Sequence, residues 1–132
     1  RANNMAGRIT CNIGFRFERA GLSPRTFQSE EMVINLTGNR YFEKIAIVDV
    51  TASELTFDGL DLIDIGFLWL KNLDASNFIL IGNQNNDQSF FAKLDPLKML
   101  IFPSMYASNQ GKKLYVKANA APCELSWGAF EK

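Results

Sequence analysis

From Arg8 to Arg19 the chain alternates with a period of two. Ile9, Cys11, Ile13, Phe15 and Phe17 interleave with Thr10, Asn12, Gly14, Arg16 and Glu18. This spacing predicts a strand with one buried face, because successive side chains of a strand point to opposite sides. A second clear alternation closes the chain, where Cys123, Leu125, Trp127 and Ala129 interleave with Glu124, Ser126, Gly128 and Phe130. Between them lie runs rich in β-branched and aromatic residues: 32–36, 41–50, 54–57, 65–70, 78–81, 90–94, 99–102 and 114–118. Such runs fit a pleated, half-buried surface. Turn signals separate them at Thr37-Gly38-Asn39, Asp58-Gly59, Gly82-Asn83, Asp95-Pro96 and Asn109-Gln110-Gly111. Residues 20–31 read as a loop after the first strand, and the polar run Gly82 to Ser89 as a hairpin loop. No segment carries a sustained helical period, although short 3₁₀ turns fit near Ser53 or Ser104. About ten strands at this spacing predict an all-β, single-domain antiparallel β-sandwich, jelly-roll-like, over residues 1–132. Residues 1–7 are small and polar and read as a short N-terminal arm.

Composition supports one folded core. The 132 residues are 47% hydrophobic and include eleven Phe, a content that disordered chains lack. Ile65 to Leu70 is apolar on both faces of its strand, so it is either central and covered or part of a subunit interface. Surplus apolar surface of this kind favours assembly. The longest apolar run, six residues, is far short of the roughly twenty that a membrane span needs, so no membrane role is expected.

Charge balances overall but not locally. Fourteen basic residues match fourteen acidic ones, without the basic excess expected of a nucleic-acid partner. Residues 1–29 carry a balance of +4, residues 30–64 a balance of −6, and the remainder +2. The plain reading is solvated faces of a folded domain. The sharper one is a basic N-terminal segment that meets an acidic patch on a neighbouring copy, where complementary charge fixes register.

Catalytic chemistry finds little support. The chain has no His, the usual triad base, metal ligand and switch near neutral pH. Asp58, Asp61 and Asp64 are spaced three apart and lack the terminal Glu of a calcium loop. No phosphate-binding glycine motif occurs, and nothing marks two acids as a glycosidase pair. Cys11 and Cys123 lie near opposite ends, either as free thiols or as a bridge closing a loop of about 110 residues. The start has no apolar signal-peptide region, and its first residue is not Met, which suggests removal of the initiator or a trimmed start. Asn35-Leu36-Thr37 is a glycosylation sequon with no other support. The aromatics Phe67, Trp69, Phe90, Phe91, Phe102, Tyr115, Trp127 and Phe130 sit mostly in strand runs and read as core, with a sugar-stacking platform as the sharper alternative. The sequence therefore argues against an enzyme and calls for no cofactor and no metal.

The stretch from Trp69 to Gly82, with Lys71-Asn72-Leu73-Asp74-Ala75-Ser76-Asn77 at its centre, resembles a motif of small virion proteins of tailed bacteriophages. There a strand runs into K/R-N-L-D, a small residue, S/T-N and an aromatic, and a second strand ends in Gly. Thr51–Leu55 with Leu60–Leu62, then Ala92–Pro96, Leu114–Ala118 and Cys123–Glu131, are similar to its flanks, so the likeness spans residues 42–131. The resemblance implies a structural protein of the particle with no catalytic residues: a capsid decoration or cement protein of the head accessory type. It would be located in the virion, assembled in the bacterial host cytoplasm. It would bind the major capsid protein or other virion proteins as a homo-oligomer, with a trimer as the first expectation. Its candidate assembly contacts are Arg1, Arg8, Arg16, Arg19, Lys71, Asn72, Asp74 and Asn77. Physically, Lys71 to Asn77 reads as a polar connection between two apolar strands. Asn72 and Asp74 can bond the backbone two residues on, and Asn77 tolerates the left-handed region. Alternatives are a tail, baseplate or fibre-attachment component and a host-surface glycan-binding module.

Overall fold

Ten antiparallel strands make up the computed structural model among the residues that the structure describes, 7–83, 90–103 and 113–132. They are β1 (Gly7–Phe17), β2 (Arg25–Leu36), β3 (Tyr41–Val48), β4 (Ser53–Leu55), β5 (Ile65–Asn72), β6 (Ile79–Gly82), β7 (Phe90–Leu94), β8 (Met99–Phe102), β9 (Leu114–Ala118) and β10 (Cys123–Glu131). The strands form three sheets, with orders β1-β2, β3-β10-β5-β8 and β4-β9-β6-β7.

The pairing is nested. β6 pairs with β7, β5 with β8, β4 with β9 and β3 with β10. The eight strands are thus one long ribbon folded back at β6–β7, with alternate pairs laid in opposite sheets. Contacts β10–β5 and β9–β6 join the pairs side by side.

Alternation fixes what each sheet buries. In β3-β10-β5-β8, the first sheet of the sandwich, Leu68 and Leu70 of β5 face the same way as Cys123, Leu125, Trp127 and Ala129 of β10. In the second, Ile79 and Ile81 of β6 align with Val116 and Ala118 of β9 and with Leu94 of β7. All these side chains belong to a single core cluster. Trp127 satisfies its indole N–H there by donating to the Thr56 carbonyl, 3.0 Å away.

β5 is apolar on both faces because both are covered. Its outward Trp69 lies across Gly128 of β10, where a Cβ would fall 2.7 Å from Trp69 Cε2 and nearer still to Nε1. Its outward Phe67 is buried beside the Phe130 ring, at a centroid distance of 6.1 Å. Gly66 is overlaid by Leu36 from the end of β2 and by Lys132, whose Cα would sit 2.9 Å from an added Cβ.

Several expectations need correction. Residues 20–31 are not all loop, since β2 begins at Arg25 and extends a long hairpin with β1. The 3₁₀ turn is at Leu62–Asp64; Ser53 lies in β4, and Ser104 lies outside the described residues, as does the turn at 109–111. Lys71 and Asn72 belong to β5 rather than to the connection after it. Gly7 already opens β1, so of the expected arm only 1–6, with Arg1, remains, outside the described residues. β6 and β7 do pair as the hairpin reading requires, with 84–89 again outside the described residues. The largest departure is at β1. Its apolar face is half-buried only from Gly7 to Cys11, and Ile13, Phe15 and Phe17 are 49%, 60% and 50% exposed.

Gly128→Val should force Trp69 off the sheet. The expected cost is about 1–3 kcal/mol of stability, typical of overpacking. Urea unfolding and a shift in tryptophan emission would check it.

Candidate functional site

The Lys71 to Asn77 segment is built around one amide. Asn72 ends β5 facing inward and is fully buried. Its Nδ2 donates to the carbonyls of Asn77 at 2.8 Å and Leu94 at 3.1 Å, and its Oδ1 accepts from the Asp74 N–H at 2.9 Å. Asp74 Oδ2 in turn accepts from the N–H groups of Ser76 and Asn77, at 2.9 and 2.6 Å. Those backbone donors hold the Asp74 carboxyl below the usual carboxylate range. Both Asx turns expected from the sequence are therefore present. Asn77 is not left-handed; it contributes its carbonyl and N–H, and only Asp58 and Leu97 are non-glycine residues with positive φ among the described residues. Lys71 faces outward, half-buried, beside Ser126 and Met99.

The structure separates the remaining basic candidates from this segment. Arg8 and Arg16 project from the polar face of β1, across from Asn35 and Thr26. Arg19 lies in the turn closed by the Leu22 N–H on its carbonyl. Arg16 pairs with Glu18 at 3.0 Å in an exposed site, where such a pair contributes at most about 1 kcal/mol. The hairpin's other face carries Phe15 stacked on Phe27, with centroids 4.3 Å apart, and is open to solvent.

Where the hairpin meets the sandwich, the chain is clasped. Gly38 N–H donates to the Lys132 carbonyl, Lys132 N–H to Asp64 and Glu131 N–H to Arg40. The Glu131 carboxylate receives Arg40 at 2.8 and 2.9 Å through the guanidinium and also the N–H groups of Asn39 and Arg40. The Arg40 side chain is the first cause of a Glu131 carboxyl held below its ordinary range.

Sequence reasoning missed one surface. The outward face of the first sheet exposes Tyr41, Ile45, Ile47, Met99 and Ile101. The signal was in 41–48, which is apolar at both parities: Phe42, Ala46 and Val48 point inward, Ile45 and Ile47 outward. The remaining candidates stay apart. Among the described residues no group of three His, Cys, Asp or Glu is gathered for a metal ion, and Asp58, Asp61 and Asp64 line no common point. Both thiols are free, Cys11 half-buried on the hairpin and Cys123 in the core. Burial, and then the Asp74 carboxylate, push the Cys123 thiol up, which keeps it protonated. Of the aromatics, Phe67 and Trp127 are buried, Phe91 is exposed and the others are half-buried. No helix among the described residues is long and apolar enough to cross a membrane. Comparison of the chain with protein-family models, with curated proteins and with solved structures gave no match.

Replacing Asn72 with Ala removes the side-chain partner of the Asp74 N–H and of the Asn77 and Leu94 carbonyls, the last of these in a buried site. The expected loss is about 2–4 kcal/mol, whereas Lys71→Ala on the outward face should cost less than about 0.5 kcal/mol. Denaturant midpoints of the two variants would decide.

Glu131 has a lowered folded-state pKa, so its contribution to stability is full above the unfolded value of about 4.3 and is lost as pH falls through the folded value. The melting temperature of Glu131→Gln should therefore lie below that of the parent at pH 7, with the gap closing toward pH 3. Thermal melts across that range would test the sign.

Proposed function

We propose that the chain is a non-enzymatic structural protein of a tailed-phage particle, most directly a capsid decoration or cement protein that stabilises the shell through subunit contacts. The observation that carries this reading is the nested pairing of eight strands into β3-β10-β5-β8 and β4-β9-β6-β7. A ribbon wrapped in this way fits a jelly roll, an architecture recurrent in capsid and lectin domains. The resemblance of residues 42–131 to small virion proteins points the same way. Decoration acts through area and complementarity, and the exposed apolar side chains of the hairpin and first sheet supply that kind of surface.

In this reading the partners are the major capsid protein or other virion proteins and further copies of the chain, as a trimer at local axes of the shell. The segment before β1, with Arg1, contacts the shell. Arg8, Arg16, Arg19 and Lys71 are the further contacts. Asn72, Asp74 and Asn77 serve the connection itself, because their polar groups are engaged within it.

Quantitative mass spectrometry of purified particles of the encoding phage is the test. Hundreds of copies per particle are expected for a shell decoration. A few to a few dozen would move the chain to a vertex, tail or baseplate, and absence from the particle would overturn the reading.

A further inference from the structure

Two apolar surfaces of this chain are left open, and neither covers the other. The first is the outer half of the β1–β2 hairpin, where Ile13, Phe15, Phe17 and Phe27 lie on one face at 48–60% exposure. The second is the outward face of the first sheet, with Tyr41, Ile45, Ile47, Met99 and Ile101 at 36–65%. An isolated two-stranded hairpin is marginal in water. Only its base is tied down, by Leu36 over Gly66 and by the clasp around Glu131. We propose that the aromatic face of the hairpin packs on the outward face of β3-β10-β5-β8 of a second copy of this chain, each copy donating one hairpin and receiving another.

Area and charge both favour this occupant. At roughly 200 Å² per large side chain, the four hairpin residues leave about 400 Å² open and the five sheet residues about 500 Å². Each is as large as the biggest apolar patch of a typical monomer, about 300–600 Å². Each hairpin-on-sheet contact covers about 900 Å² over both partners, and a copy that donates and receives makes two of them, which in a reciprocal pair reach the roughly 800 Å² per partner of a standard interface. The tip of the hairpin's aromatic face is basic, with Arg25 beside Phe17 and Arg19 in the turn; Glu30 lies further back beside Ile13, and Arg16 is on the opposite face, paired with Glu18. The receiving face carries the exposed acids Glu43 and Glu124, with Lys71 as its basic member. A hairpin that docks on the next copy rather than back on its donor is a heterologous contact, which closes into a ring when the rotation allows.

The proposal rests on the self-assembly part of the reading above and not on the phage particle. Its test uses the full chain. Sedimentation should give a closed oligomer. Phe15→Ser on the donated face and Ile47→Asp on the receiving face should each weaken association by at least about tenfold, with circular dichroism unchanged. Ile47→Asp leaves the hairpin untouched, so a collapsed hairpin cannot imitate its effect. Carbodiimide cross-linking of mixed ¹⁴N and ¹⁵N copies should join Glu18 or Glu30 of one isotope to Lys71 of the other. A monomer at roughly 100 µM, an oligomer indifferent to both substitutions, or hairpin cross-links that reach only Lys93, Lys113 or Lys117, away from the receiving face, would each overturn it. A monomer still found on particles would leave the decoration reading standing. An oligomer of the expected form that is absent from particles would leave this proposal and remove the other.

Discussion

The sandwich depends on how the chain leaves one sheet and enters the other, and the buried amide of Asn72 governs that crossing. It closes β5, holds the carbonyl just before β6 and the one that ends β7, and starts the turn between them. A buried amide is costly unless all of its partners are present, and here they are backbone groups of the β5–β6 connection and of the end of β7. The side chain thus specifies one relative placement of three strands. No buried side-chain polar atom among the described residues lacks a partner.

Legibility from sequence varied with how local the cause was. Period-two runs found nearly every strand, because β propensity and alternation act within a few residues. The Asx turns at Asn72 and Asp74 were legible for the same reason, since each bond spans two residues. The clasp of Arg40 on Glu131 was not, because its partners are ninety-one positions apart. Strand β2 was cut short because Ser29-Glu30-Glu31 looks like loop, yet Glu31 and Glu30 pair with Asn12 and Ile13 of β1, Ser29 sits at the irregularity beside them, and both faces are near solvent. Exposure also explains the misreading of β1. Alternation reveals that a strand has an apolar face but not whether this chain covers it. Gly128 had no signal of its own, since its need arises from the Trp69 indole on the neighbouring strand.

The molecule therefore combines two regimes. Inside, Ile65, Leu68, Leu70, Ile79, Ile81 and Leu125 are sealed between sheets, and polar groups are few and fully bonded. Outside, aromatic and branched side chains of the hairpin and first sheet stand in water. A lone domain gains nothing from that exposure, whereas a subunit uses it to bury area against neighbours. The fold and the proposed assembly meet at the hairpin base, where Leu36, Gly66 and the Glu131 clasp fix the hairpin's point of attachment.

The nested ribbon also sets an order of events for the newly made chain. β6 and β7 are neighbours in sequence, but Tyr41 must wait for Phe130, about ninety residues later. Loop-closure entropy favours zipping from the innermost pair outward, so β3 is the last strand of the sandwich to find its partner. The β1–β2 hairpin needs only its own turn and forms on the microsecond scale of such elements. Its aromatic face is complete well before the domain behind it, and during synthesis it emerges ahead of that domain. Arg16, Arg19 and Arg25 around its tip are charges of the gatekeeper kind, which keep such a surface from aggregating while the rest of the chain folds.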